Sequence, residues 1–174
     1  GYRNARDISA CVAALARSSH DDFEIVICEN GGGEAFEALR GALPSHLPNG
    51  QPITLIQAPG NGGFASGVNI CIAATPQADA WWILNPDTES SPGAMAALAA
   101  RLAEGFDAVG GTVHFDHGRI QSRGGVWKAW LARAESIDNG KMSDTAPDTA
   151  DIERRLDYLS GASMLVGRRF LERA

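Results

Sequence analysis

The sequence predicts an α/β fold: a doubly wound, mostly parallel sheet with helices on both faces. Three observations carry that expectation. Helix-like and strand-like patterns alternate along the chain. Each strand is an unbroken apolar run rather than an in–out alternation, as a sheet covered on both faces requires. Each run then stops at a loop rich in Gly, Asn, Asp or Pro.

The elements are justified in order. Ile8, Cys11, Val12 and Leu15 recur at helical spacing, with Asp7 as the expected N-cap. Phe23 to Cys28 reads as a buried strand ending in Glu29-Asn30-Gly31-Gly32-Gly33. Phe36, Leu39 and Leu43 predict a short helix, closed by the loop from Pro44 to Pro52. Ile53 to Gln57 is the next strand, followed by Ala58-Pro59-Gly60-Asn61-Gly62-Gly63. Phe64, Gly67, Val68, Cys71 and Ile72 form an apolar helix face. Ala80 to Leu84 is a further strand, stopped by Asn85-Pro86-Asp87. Ser91-Pro92 predicts a helix start, with a capping hydroxyl and Pro at the first helical position. Ala108 to Phe115 is expected as one strand and Asp116-His117-Gly118 as a turn. Residues 138–151, rich in Asp, Thr, Gly, Ser and Pro, are expected to form a mobile loop. Tyr158 to Val166 returns to strand character, and a helix is expected from Arg168.

Composition narrows the function classes. The 174 residues suit one domain with a proper core. Fifteen basic against 21 acidic residues give a net charge of -6, which repels phosphate backbones and argues against nucleic-acid binding. Cys11, Cys28 and Cys71 are odd in number and lie in apolar runs, as reduced core cysteines do. That usage predicts a cytoplasmic protein. No apolar run is long enough to span a bilayer, and no signal peptide is visible. The chain opens at Gly1 without an initiator Met, so both ends are expected to be trimmed from a longer protein.

In parallel sheets ligands bind at the carboxyl ends of strands, which here carry ENGGG, APGNGG and NPDTE. Asp87 closes a strand, and its carboxylate could hold Mg²⁺ or Mn²⁺, cations that prefer oxygen. Asn85 lies two residues earlier, able to orient a ribose or a metal-bound water. The alternative is a plain turn in which Asp87 caps the next helix. Gly60, Gly62 and Ala65 fit the dinucleotide fingerprint formally, and a Gly-rich turn before a helix can cradle phosphate. The same segment also serves as a tight strand-to-helix turn. Glu29 could accept a hydrogen bond from a uracil or thymine imide, or be a solvated turn residue. His114 and His117 flank a turn as surface histidines, and Trp81 and Trp82 read as packing residues.

Together these segments resemble the inverting family 2 glycosyltransferases of the GT-A fold, a nucleotide-diphospho-sugar transferase fold, and especially rhamnosyltransferase-like members. GYRNARDISACVAAL resembles the family's first strand end and helix, which places Tyr2 near the nucleobase. FEIVICENGGG resembles the second strand, with Glu29 where Asp is usual and Asn30 beside it. GNGGFASGVNICIA resembles the family's N-x-G-F-A-x-G-x-N segment through Asn61, Gly63, Phe64, Ala65, Gly67 and Asn69, with Gly62 inside the same turn. WWILNPDTE resembles the D-x-D strand in an N-P-D form, with Asp87 in the metal position. YLSGASMLVGRRFLERA resembles the later segment whose Gly-Ala turn, Gly161-Ala162, lies near donor sugar and acceptor.

The resemblance implies one glycosyltransferase domain over residues 1–174. Residues 1–115 would be the nucleotide-sugar half and 116–174 the start of the acceptor half. It implies a UDP- or dTDP-sugar donor, a glycan or lipid-linked glycan acceptor, and work at the cytoplasmic face of the inner membrane by peripheral contact. The general base is expected beyond residue 174, with Asp157 a poor substitute. Two rivals stay open: an NAD-dependent oxidoreductase using Gly60, Gly62 and Ala65, and a non-catalytic sugar-nucleotide-binding module.

Overall fold

The structure, a computed structural model, describes residues 1–173. The described elements run α1 (Ala5–Leu15), β1 (Ile25–Glu29), α2 (Gly33–Ala42), β2 (Ile53–Gln57), α3 (Gly63–Ala74), β3 (Ala80–Leu84) and α4 (Ala94–Ala103). They continue as β4 (Ala108–Gly110), β5 (Val113–Phe115), β6 (Arg119–Ser122), β7 (Gly125–Lys128), a 3₁₀ turn (Ala129–Leu131) and β8 (Arg133–Ser136). Then come α5 (Thr149–Arg155), β9 (Ser163–Gly167) and α6 (Arg168–Arg173).

The α/β class holds, but a doubly wound parallel sheet is not what forms. Among the described strands β1 and β2 alone pair in parallel, with Ile25 opposite Ile53 and Glu29 opposite Gln57. The second sheet has the order β3-β9-β4, and β9 runs antiparallel to both neighbours. Leu165 of β9 stands opposite Trp82 on one side and Val109 on the other. The physical reason is the route of the chain. The β3–α4–β4 crossover leaves its two parallel strands one strand apart, and β9 returns to fill the gap. An apolar run announces burial but carries no direction, so the sequence pattern could not reveal this insertion.

Several boundaries also move. The expected strand from Ala108 to Phe115 breaks at Gly111-Thr112 into β4 and β5, which belong to different sheets. The strand expected over 158–166 begins only at Ser163, because Ser160 to Ser163 forms a turn. Asn4, not Asp7, takes the N-cap position of α1. Helix α4 starts at Ala94, after a turn in which the Ala94 N–H meets the Ser91 carbonyl at 3.1 Å. On α3 only Gly67 is buried, and Phe64 is exposed. Within 138–151 the chain gives a turn from Asp138 and the first residues of α5.

The chain forms two compact units. The first comprises residues 1–79 and 86–97. Its core joins Ile8, Val12 and Leu15 of α1 to Ile25 and Cys28 of β1, with Leu39 of α2 fully buried. Helix α3 packs on β1, while α2 touches both α1 and β2. The second unit comprises residues 80–85 and 98–174. Its core includes Leu98, Ile120, Ile137, Leu165 and Val166.

The second unit also buries a charge pair. Arg123 bonds Asp138 at 2.8 Å, with the side chains 5% and 10% exposed, and also reaches the Thr145 carbonyl. Lys141 bonds the other Asp138 oxygen at 2.6 Å. The Lys141 hydrogen bond, then that of Arg123, holds the Asp138 carboxyl below its usual value. A carboxyl lowered in the folded state adds stability that is complete above the unfolded value, near pH 4, and lost as pH falls further. Removing one partner of a buried pair strands the other charge, which costs about 3 kcal/mol. Urea unfolding of Arg123→Ala is therefore expected to show a loss of about 3 kcal/mol at neutral pH. The gap to wild type should narrow as pH falls below about 4.

Candidate functional site

The carboxyl end of β1 is built around a buried acid. Glu29 is 1% exposed, and its Oε1 accepts the main-chain N–H groups of Arg3 at 3.0 Å and Gly31 at 2.7 Å. The main chain of Gly1 lies along the same strand end: its nitrogen donates to the Cys28 carbonyl at 2.7 Å, and its carbonyl accepts from Asn30 at 2.8 Å. That is the parallel bridging pattern, with Gly1 beside Glu29. On the opposite edge the Glu29 carbonyl accepts from Ala58, at the end of β2. One carboxylate thus ties residues 1–3 to the turn after β1.

Arg3 is held in the left-handed region, φ 55°, where a residue with a Cβ stays only if its surroundings compel it. Its N–H is fixed on Glu29, and its Nε reaches the Gly31 carbonyl at 3.4 Å. Its guanidinium carbon lies 5.6 Å from the ring centroid of Tyr2, which is 53% exposed. Tyr2 and Arg3 therefore form an open aromatic–cationic surface at this strand end.

Asn30 points inward. It is nearly buried, and its Oδ1 has no partner among the described residues. A Cβ on Gly67 would come within 2.9 Å of its Nδ2, so α3 approaches β1 this closely only with Gly at that position. At the start of α3, Asn61 Oδ1 accepts the Gly63 N–H at 3.1 Å. Gly63 itself has φ +79°, a conformation glycine takes without cost. The Asn61-Gly62-Gly63 segment is exposed, and the Asn61 side-chain oxygen is occupied in closing its own turn.

Asp87 differs from Glu29 in kind. It is exposed, and its carboxylate makes no hydrogen bond or ion pair among the described residues, so it caps no helix. Its loop is nevertheless anchored, because the Ser19 N–H and hydroxyl both donate to the Pro92 carbonyl, at 2.8 and 3.1 Å. Burial pushes the Cys11 thiol up to about 11, and the negative charges of Asp87 and Glu89 add to the rise. Such a thiol is inert at neutral pH, and the three cysteines are free.

The second unit brings Asn85, Gly161 and Ala162 together. The Asn85 N–H donates to the Ala162 carbonyl at 3.0 Å, and the Ala162 N–H meets the Ser160 hydroxyl at 3.3 Å. The indole N–H of Trp82 holds Ser163 at 3.0 Å, which fixes the turn against β3. Asp157 is occupied elsewhere: its Oδ2 accepts the Trp127 N–H at 2.7 Å. His114 and His117 are exposed, His117 stacking on Phe115 at 5.0 Å.

Sequence reading missed Arg3 and the tie between Gly1 and Glu29. The signal was faint, since an Arg after Tyr is unremarkable until its backbone is seen to be left-handed. No group of three or more His, Cys, Asp or Glu able to hold a metal occurs among the described residues. No helix among them is long and apolar enough to cross a membrane.

Polar and Gly-rich loops follow β1, β2 and β3 of this α/β protein, with one buried carboxylate, Glu29, and one exposed, Asp87. Residues 2–157 match glycosyl transferase family 2, and the chain belongs to that family. The family implies the GT-A nucleotide-sugar transferase fold and a glycosyltransferase acting on a nucleotide-sugar donor and an acceptor. Its enzymes commonly use a divalent metal. The assignment favours the glycosyltransferase over the NAD-dependent alternative. Among curated proteins and among solved structures, none matches the chain.

Glu29→Ala would leave two main-chain N–H groups without their acceptor, at a cost of about 2 kcal/mol. Glu29→Gln keeps a side-chain oxygen at that position and is expected to retain most of the stability. Hydrogen exchange is expected to quicken at the Arg3 and Gly31 amides in the Ala variant and far less in the Gln variant.

Proposed function

We propose that the chain carries the donor site of an inverting glycosyltransferase that moves a sugar from a UDP- or dTDP-sugar to a hydroxyl acceptor. The observation that carries this reading is the open carboxylate of Asp87. It sits in an anchored loop just past the end of β3 and is exposed, with no hydrogen bond or ion pair among the described residues. The absence of a three-residue ligand cluster is compatible with this role. Mg²⁺ keeps several waters and is commonly held by one or two carboxylates plus substrate phosphates. Asp87 would hold Mg²⁺ or Mn²⁺, with Glu89 as the nearby second acid. When bound, the metal would neutralise charge on the departing nucleoside diphosphate.

The other residues are proposed to take supporting parts, each within its own unit. Tyr2 offers an exposed ring to a nucleobase. Glu29 positions the residues around it, and Asn30 presents an unsatisfied oxygen beside α3. Asn61, Gly62 and Gly63 shape the turn before α3, and the N–H groups at that helix start would favour phosphate. Asn85, Gly161 and Ala162 form the part proposed to lie near donor sugar and acceptor. The base that deprotonates the acceptor hydroxyl is assigned outside the described residues. Rhamnose as the sugar, and a bacterial surface glycan on a lipid carrier as the acceptor, are inferred from the resemblance alone. They would place the enzyme at the cytoplasmic face of the inner membrane.

Calorimetric titration of UDP and dTDP with and without Mn²⁺ tests the donor site. Binding is expected to require Mn²⁺ and to weaken in Asp87→Ala by at least on the order of tenfold. NADH binding without a nucleoside-diphosphate signal would overturn the reading.

A further inference from the structure

We propose that the β7–β8 hairpin is a membrane-interface anchor that seats the protein on a phospholipid surface through Trp130 and Leu131. The two strands join through one 3₁₀ turn, Ala129–Leu131, followed by Ala132 in a left-handed conformation at φ 47°. The tip leaves an unusual amount of apolar surface open: Trp130 is 84% exposed, Leu131 46% and Trp127 51%, with Ala129, Ala132 and Ala134 exposed around them. Large apolar side chains left exposed together at one hairpin tip point to an interaction site.

Charge points to the partner. Lys128 and Arg133 stand directly opposite one another in the β7–β8 register, at the base of the tip. Like charges so placed repel, and the single carboxylate of Glu135, paired with Arg133 and acting also on Lys128, offsets only one of the two charges. Anionic headgroups at the same level would neutralise both cations. A Trp with an apolar body and one polar N–H suits the boundary between headgroups and acyl chains, with Leu131 beneath it.

The rival occupants fit less well. A glycan needs hydrogen-bonding groups beside the ring, yet Asp157 Oδ2 is engaged by the main-chain N–H of Trp127 and Glu135 by Arg133. A stable dimer needs roughly 20–30 residues a side, and this tip offers far fewer. The hairpin base is nonetheless rigid enough to present the tip. Gly125 and Tyr158 exchange backbone hydrogen bonds at 3.0 and 3.2 Å.

The inference extends the proposed membrane-side acceptor, but it is read without donor or acceptor, so the two readings fail separately. The protein is sedimented with phosphatidylcholine vesicles containing a minority of phosphatidylglycerol, while tryptophan emission is recorded. Wild type is expected to bind with a blue shift that Trp130→Phe diminishes, although that variant still binds. Trp130→Ala combined with Leu131→Ala should weaken binding at least about tenfold, and Lys128→Ala about fivefold. Nucleotide titration without vesicles should be unchanged in all of them. Absence of wild-type binding, or equal binding by the double variant, would overturn the anchor. So would an emission shift with soluble oligosaccharide, or a concentration-dependent dimer lost in the double variant, since each assigns the tip to another partner.

Discussion

The first unit depends on one buried carboxylate. Glu29 ends a strand whose other residues are apolar, and burying an ionised group is costly unless hydrogen bonds replace its water. Two main-chain N–H groups do so here, and they come from opposite sides: Arg3 precedes α1 and Gly31 follows β1. Satisfying the acid therefore fixes both segments at once. The left-handed Arg3 makes one of those bonds, while Gly1 bridges the same strand end through the main chain of Cys28 and Asn30 and the Tyr2 N–H bonds the Asn4 side chain.

Asp87 gains its meaning by contrast. Both acids lie at or just past a strand end, and the net charge of -6 makes each unwelcoming to an anionic ligand. Glu29 is buried with its Oε1 engaged by two main-chain N–H groups, whereas Asp87 is exposed and makes no hydrogen bond or ion pair among the described residues. A divalent metal on Asp87, as proposed, would supply a cation between that surface and a diphosphate. The Arg3 guanidinium over Tyr2 places a further positive group at the β1 end of the same unit.

Much of the architecture was legible in the chain. β2 and β3 fall on the apolar runs that announce them, and the turn at Gly118 is where Asp116-His117-Gly118 puts it. The β7–β8 hairpin was not legible, because Gly125 to Ser136 has neither clean alternation nor a turn pair of the Asn-Gly kind. Helix α5 hid in a polar segment for a similar reason. Its seven residues carry no apolar stripe and rest on an Asp148 cap and Asp151–arginine pairs.

By itself the sequence determined which stretches are buried, where the loops fall and which polar residues those loops carry. Hydrophobic period and turn chemistry are local properties, so a local reading recovers them. Only the tertiary structure decided strand direction, the insertion of β9 between β3 and β4, and the fate of each acid. These depend on which groups meet across long separations, such as Arg3 with Glu29 or Ala162 with Asn85. No spacing along the chain encodes whether a carboxylate will find two N–H groups waiting or be left facing water.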